Sequence, residues 1–115
     1  MRSFACQMLH LSDALYGFVA SATDVKPTAS GLEKTNDVAK ASVTEKVLAA
    51  YDFAIAAIKN SSEDKWNEPI KLFGRFDATR IQAINKCFEH QTHHRGQTTV
   101  YIRLAGGTPP AEKLF

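Results

Sequence analysis

The sequence predicts an all-α bundle. Three stretches carry apolar residues at helical spacing, no segment shows convincing strand alternation, and Pro, Gly and Ser/Asn clusters separate the stretches. At 115 residues the chain is one domain, and with 44% hydrophobic residues it can build a core.

The first helix is predicted over residues 3 to about 22, with Ser3 as N-cap and Phe4, Met8, Leu11, Leu15, Phe18 and Val19 forming the apolar stripe. His10 sits inside this stripe, with Asp13 one turn later. A lone histidine on an apolar face is usually a core residue bonded to a neighbour. Residues 22–41 are polar and read as a long connection with room for a short helical piece. Loops of this length often flank functional sites. The second helix is predicted over about 43–59, with Ser42 and Glu45 as an S-x-x-E capping box and Val47, Leu48, Tyr51, Ala54, Ile55 and Ile58 buried. Residues 61–76, with Trp66 as a packing anchor, read as an ordered loop over one end.

The long third helix organises the chain. It is predicted from an N-cap at Asp77 to Leu104, about eight turns or roughly 40 Å, and is stopped by Gly106-Gly107 and Pro109-Pro110. Its apolar seam is interrupted by His90, His94 and Gln97. His90 and His94 are four residues apart and share one face. Two imidazoles so placed can hold one divalent ion when neutral, as paired histidines of helical zinc sites do. They can equally be half-buried, hydrogen-bonded histidines. Adding His10 from the first helix gives three histidines and an open, catalytic pattern. A closed structural site drawing on Cys6 or Cys87, each about one turn before a histidine, is the alternative.

Composition excludes several classes. The net charge is only +2 and no basic run is interleaved with aromatics, so no nucleic-acid face is expected. No apolar stretch reaches the ~18 residues of a membrane span. The N-terminus lacks a signal-peptide layout. Two distant cysteines outside any CxxC suit free thiols in a reducing cytoplasm, with a single disulfide left open.

The segments His10-Leu-Ser-Asp13, His90-Gln-Thr-His93-His94-Arg95-Gly96-Gln97 and Val100-Tyr101-Ile102-Arg103-Leu104, with Gly106 and Pro109-Pro110, resemble the DinB-like family. These are the DNA-damage-inducible bundle proteins, not the polymerase of the same name. The likeness covers nearly the whole chain. It implies a four-helix bundle of down-up-up-down course, often dimeric, with a divalent metal on His10, His90 and His94. Zinc or nickel is expected. His93 matches no ligand position, Cys6 and Cys87 become small core residues, and Asp13 or Gln97 would orient a ligand histidine or bound water. Arg95 is expected to pair with Glu89 or a neighbouring helix, and Tyr101 to lie in the core. Better-understood relatives in the superfamily are metal-dependent thiol S-transferases and a mycothiol-dependent isomerase. The resemblance therefore implies a metal-dependent transferase acting on a low-molecular-weight thiol, or a hydrolase-like enzyme. A non-catalytic, metal-stabilised interaction protein is the other reading. Against the family pattern the chain lacks the first bundle helix, which predicts an exposed apolar groove and one of three outcomes: pairing with a second copy, a truncated reading frame, or marginal stability alone.

Overall fold

A computed structural model describes residues 1–114. In chain order they form α1 (Phe4–Thr23), a 3-10 turn (Leu32–Lys34), α2 (Lys40–Lys59), a second 3-10 turn (Glu63–Lys65), β1 (Pro69–Leu72), β2 (Phe76–Thr79) and α3 (Arg80–Leu104). The described residues are mostly helical, with three α-helices and one small antiparallel sheet.

The first helix begins as its sequence predicts: the Cys6 N–H donates to the Ser3 hydroxyl at 3.2 Å. It ends at Asp24, in left-handed backbone, whose N–H returns to the Ala20 carbonyl. Leu11, Leu15, Tyr16 and Val19 form its buried stripe, facing Ala50, Ala54 and Ala57 of α2 and Cys87 of α3. The alanines let α2 approach α1 closely. α1 lies between the other two helices and packs along both, whereas α2 and α3 make little direct contact. The Tyr51 hydroxyl bridges them, donating to Gln91 Oε1 at 3.1 Å.

Three expectations fail locally. α2 starts at Lys40 behind Ala39, with no side-chain cap, and Ser42 lies inside it: the Ser42 hydroxyl donates to the Asp37 carboxylate at 2.5 Å. Residues 69–79 form a hairpin rather than a loop, pairing Pro69 with Thr79 and Leu72 with Phe76. Ile70 and Leu72 turn inward and Lys71 outward, the period-two pattern of a half-buried strand, but over only four residues. Phe73 and Gly74 both take left-handed backbone, and the Arg75 N–H bonds back to the Leu72 carbonyl at 3.1 Å, which reverses the chain. Asp77 therefore belongs to β2, where it pairs with Lys71 at 2.5 Å. The true cap of α3 is Thr79, in a reciprocal capping box with Gln82.

The hairpin tip leans on α1. The Phe73 ring packs edge-on against Phe18 at 4.8 Å and lies over Gly17, where a Cβ would come within 3.0 Å of it. Arg80 ties the start of α3 to the end of α1, donating to the Ala22 carbonyl at 2.9 Å and pairing with Asp24 at 2.6 Å and Glu68 at 3.0 Å.

The helices leave apolar surface uncovered. Total accessible surface is 7830 Å². A compact chain of 12.7 kDa is expected to expose about 6,200 Å², so about 1,600 Å² more than that is exposed. Leu48 and Ile55 of α2 and Phe88 of α3 are 60%, 50% and 67% exposed. A groove of about 560 Å³, lined chiefly by Phe4, Met8, Val43, Val47 and Leu48, runs between α1 and the start of α2.

Candidate metal centre

The fold brings His10 of α1 against His90 and His94 of α3. One potential ligand atom from each lies within 4.8 Å of the others. Ring centroids are 4.7 Å apart for His10 and His94, 5.3 Å for His10 and His90, and 4.3 Å for His90 and His94. The last pair follows from the helix, since residues four apart stack on one face. His10 arrives because α1 and α3 are packed side by side.

The donor set fits a tetrahedral ion. Nitrogen ligands at about 2.0–2.1 Å in tetrahedral geometry sit about 3.3 Å apart. His90 Nε2 and His94 Nε2 are 3.1 Å apart. His10 Nδ1 is engaged by Glu33 Oε2 at 2.9 Å, which leaves Nε2 as its free nitrogen. Three protein donors leave at least one position for water or substrate.

Electrostatics keep the pair on α3 neutral. Burial, then the neighbouring His94 and His10, push His90 down to about 4. Burial, then His10, lowers His94 as well. Both therefore carry a ligating lone pair at neutral pH.

Around the histidines the structure redistributes the expected supporting roles. Gln97 Oε1 lies 2.9 Å from His94 Nδ1, where it can accept that proton and leave Nε2 free. Gln7, which the sequence reading missed, is 3% exposed; its Nε2 lies 2.5 Å from His94 Nδ1 and also donates to Gln97 Oε1. A polar side chain one turn before His10 on an otherwise apolar face was the available signal. Asp13 makes no hydrogen bond to a histidine. Its two carboxylate oxygens accept the backbone N–H groups of Leu32 and Glu33, each at 2.9 Å, because the connection after α1 folds back over this face. Glu33 makes the contact expected of Asp13, and nothing near it in sequence marks it. The Arg2 guanidinium at 2.7 Å, then His10, hold the Glu33 carboxyl below the usual carboxylate range.

The remaining candidates fall outside the cluster. His93 is exposed. Arg95 donates to Gln91 Oε1 at 3.4 Å, while Glu89 pairs with Lys86 instead. Tyr101 is half-buried, edge-on to Phe4, with its hydroxyl donating to the Arg2 carbonyl at 2.5 Å. Cys6 and Cys87 are free thiols, and neither joins the donor group. Cys87 lies in the core, where burial pushes its thiol up to about 11.

The helical frame and the neutral three-histidine cluster define the class: a helical protein whose side chains can hold a metal ion between two helices. The family model of the DinB family matches residues 1–114, and the chain belongs to that family. No curated protein matches the chain. Among the described residues, no helix is long and apolar enough to cross a membrane.

Proposed function

We propose that this protein holds a divalent ion, zinc or nickel, on His10, His90 and His94, and that it is a metal-dependent transferase acting on a low-molecular-weight thiol. The observation that carries this reading is the convergence of three imidazole nitrogens, two of them kept neutral, with no thiolate or carboxylate among the described residues closing the set. A bound ion would supply Lewis acidity, favouring the thiolate form of a thiol at the open position. The chain's own residues do the rest. His90 and His94 remain neutral donors. Gln97 accepts from His94 Nδ1 and fixes which nitrogen faces the cluster. Arg2 is within reach of the same face through its bond to Glu33.

Imidazole donors suit zinc and nickel alike, so elemental analysis of tag-free protein names the ion. About one equivalent in the wild type, lost in His94→Ala, is expected. No metal in either protein after reconstitution with zinc and nickel overturns the reading. Catalysis is read by adding thiols to the Co(II)-substituted protein. A shift of its visible absorption shows an open position; an unperturbed spectrum favours the purely structural role of the ion.

The uncovered apolar surface supports a second part of the proposal. A standard protein interface buries about 800 Å² per partner. The excess surface and the apolar side chains Leu48, Ile55 and Phe88 suit a second copy of the chain, completing a four-helix arrangement around α2 and α3. Light scattering after size exclusion is expected to give twice the chain mass of 12.7 kDa. A monodisperse monomer rejects this.

A further inference from the structure

We propose that Glu33, in the 3-10 turn between α1 and α2, is the positioning residue for His10. The inference rests on the three-histidine reading above. It begins from a pair of mutual contacts between α1 and the connection that follows it. Asp13 of α1 accepts the N–H groups of Leu32 and Glu33, both at 2.9 Å. Glu33 in turn reaches back with Oε2 to His10 Nδ1 at 2.9 Å, and its Oε1 accepts from Arg2 Nε at 2.7 Å. His10 and Asp13 are three residues apart on one helix face, so one face of α1 meets the turn at two points.

This closes the degrees of freedom that matter at His10. An imidazole on a helix can present either nitrogen and rotate about its second side-chain torsion. A carboxylate at Nδ1 selects the tautomer with the proton there, and leaves the Nε2 lone pair facing His90 and His94. The carboxylate is itself held: the backbone of Glu33 is fixed by Asp13, and its second oxygen by Arg2. Glu33 is half-buried and its bond to His10 forms partly out of water, where a charge-assisted contact is stronger, while its bond to Arg2 lies at the surface. His94 has an equivalent support in Gln97, and Glu33 supplies the matching one across the interface from a different part of the chain. The long polar connection thus has a chemical task beyond joining two helices. Ion binding at His10 should in turn hold Leu32 and Glu33 more firmly against α1.

The test is calorimetric titration of zinc into metal-free full-length wild type, Glu33→Gln and Glu33→Ala, each shown to be folded by circular dichroism. Glu33→Ala is expected to bind zinc about 10–100-fold more weakly. Glu33→Gln keeps an acceptor oxygen and should recover part of that loss. A residue that merely tethers the connection would lower the thermal midpoint of the metal-free protein and leave the zinc affinity unchanged; equal affinities in all three proteins therefore overturn the inference while leaving the donor set standing. Wild type that takes up no zinc overturns the three-histidine reading itself. If Glu33→Ala does not fold, amide hydrogen exchange on the wild type decides. Slower exchange at Leu32 and Glu33 on adding zinc is expected, and unchanged exchange there overturns the inference.

Discussion

Replacing His94 with alanine produces two effects of different origin, and the structure allows each to be sized. The first is independent of any ion. His94 is 6% exposed, and its removal breaks the part-buried network in which Gln97 Oε1 accepts from His94 Nδ1 beside the buried Gln7 amide. An under-satisfied buried polar group costs about 1–3 kcal/mol. Unfolding entropy of about 2.1 cal/mol/K per residue gives about 0.24 kcal/mol/K for a chain of this length, so the metal-free midpoint should drop by about 4–12 °C. The second effect needs the ion. Zinc at a hundredfold excess over its dissociation constant adds about 2.7 kcal/mol to a protein that binds it only when folded. By the same entropy this raises the wild-type midpoint by about 11 °C. With two histidines left, the rise in His94→Ala should shrink to a small fraction of that. Thermal melts by circular dichroism, run on both proteins with and without zinc, give all four midpoints. An equal rise in both proteins would mean that the ion binds elsewhere and would refute the argument.

Leu15→Ala should cost about 2–5 kcal/mol in urea titrations, because Leu15 is 4% exposed between the alanine face of α2 and Cys87 of α3; a loss below 1 kcal/mol would mean the helices can collapse onto the gap. Stability of the metal-free protein should fall as pH drops. His90 is held down to about 4 when folded and titrates near 6.5 when unfolded, so between those values the unfolded chain takes up a proton the folded one refuses. At 1.36 kcal/mol per unit the loss is at most about 3 kcal/mol, and urea titrations of His90→Gln should show a flatter profile over the same window. Cys6 should react with a thiol reagent under native conditions. Cys87, buried and pushed up to about 11, should react only as fast as the protein opens; equal rates would place Cys87 outside the core.

Much of the frame was legible because it rests on repetition. The stripe from Leu11 to Val19, the Ser3 cap and the His90/His94 spacing are all local patterns on single helices. The family motif added His10 to that pair. What failed was short or long-range. The hairpin offers only two inward side chains per strand pattern, Ile70 and Leu72, and its reversal depends on Phe73 in a conformation that side chains rarely adopt. Asp77 and Thr79 are both good cap residues two positions apart, and only the pairing of β2 decides between them. Ser42 followed by Glu45 spells a capping box, yet Asp37 competes successfully for the hydroxyl. Asp13 and Glu33 could not be sorted from spacing, because their roles depend on where the connection lands after α1.

The central place of α1 between two helices that barely meet also orders events during synthesis. His10, Asp13 and Glu33 lie close in sequence, so their half of the cluster can form once α1 and its following turn have left the ribosome. α2 can then dock on α1 without help. His90 and His94 come with α3, which ends about 45 residues after α2, or roughly 2–9 s later at ordinary elongation rates. Until then the flank of α1 that α3 will cover, with Gln7 and His10 on it, lacks its partner helix. Whatever shields that flank in the interval guards the half-built cluster, and the last helix to appear is the one that completes it.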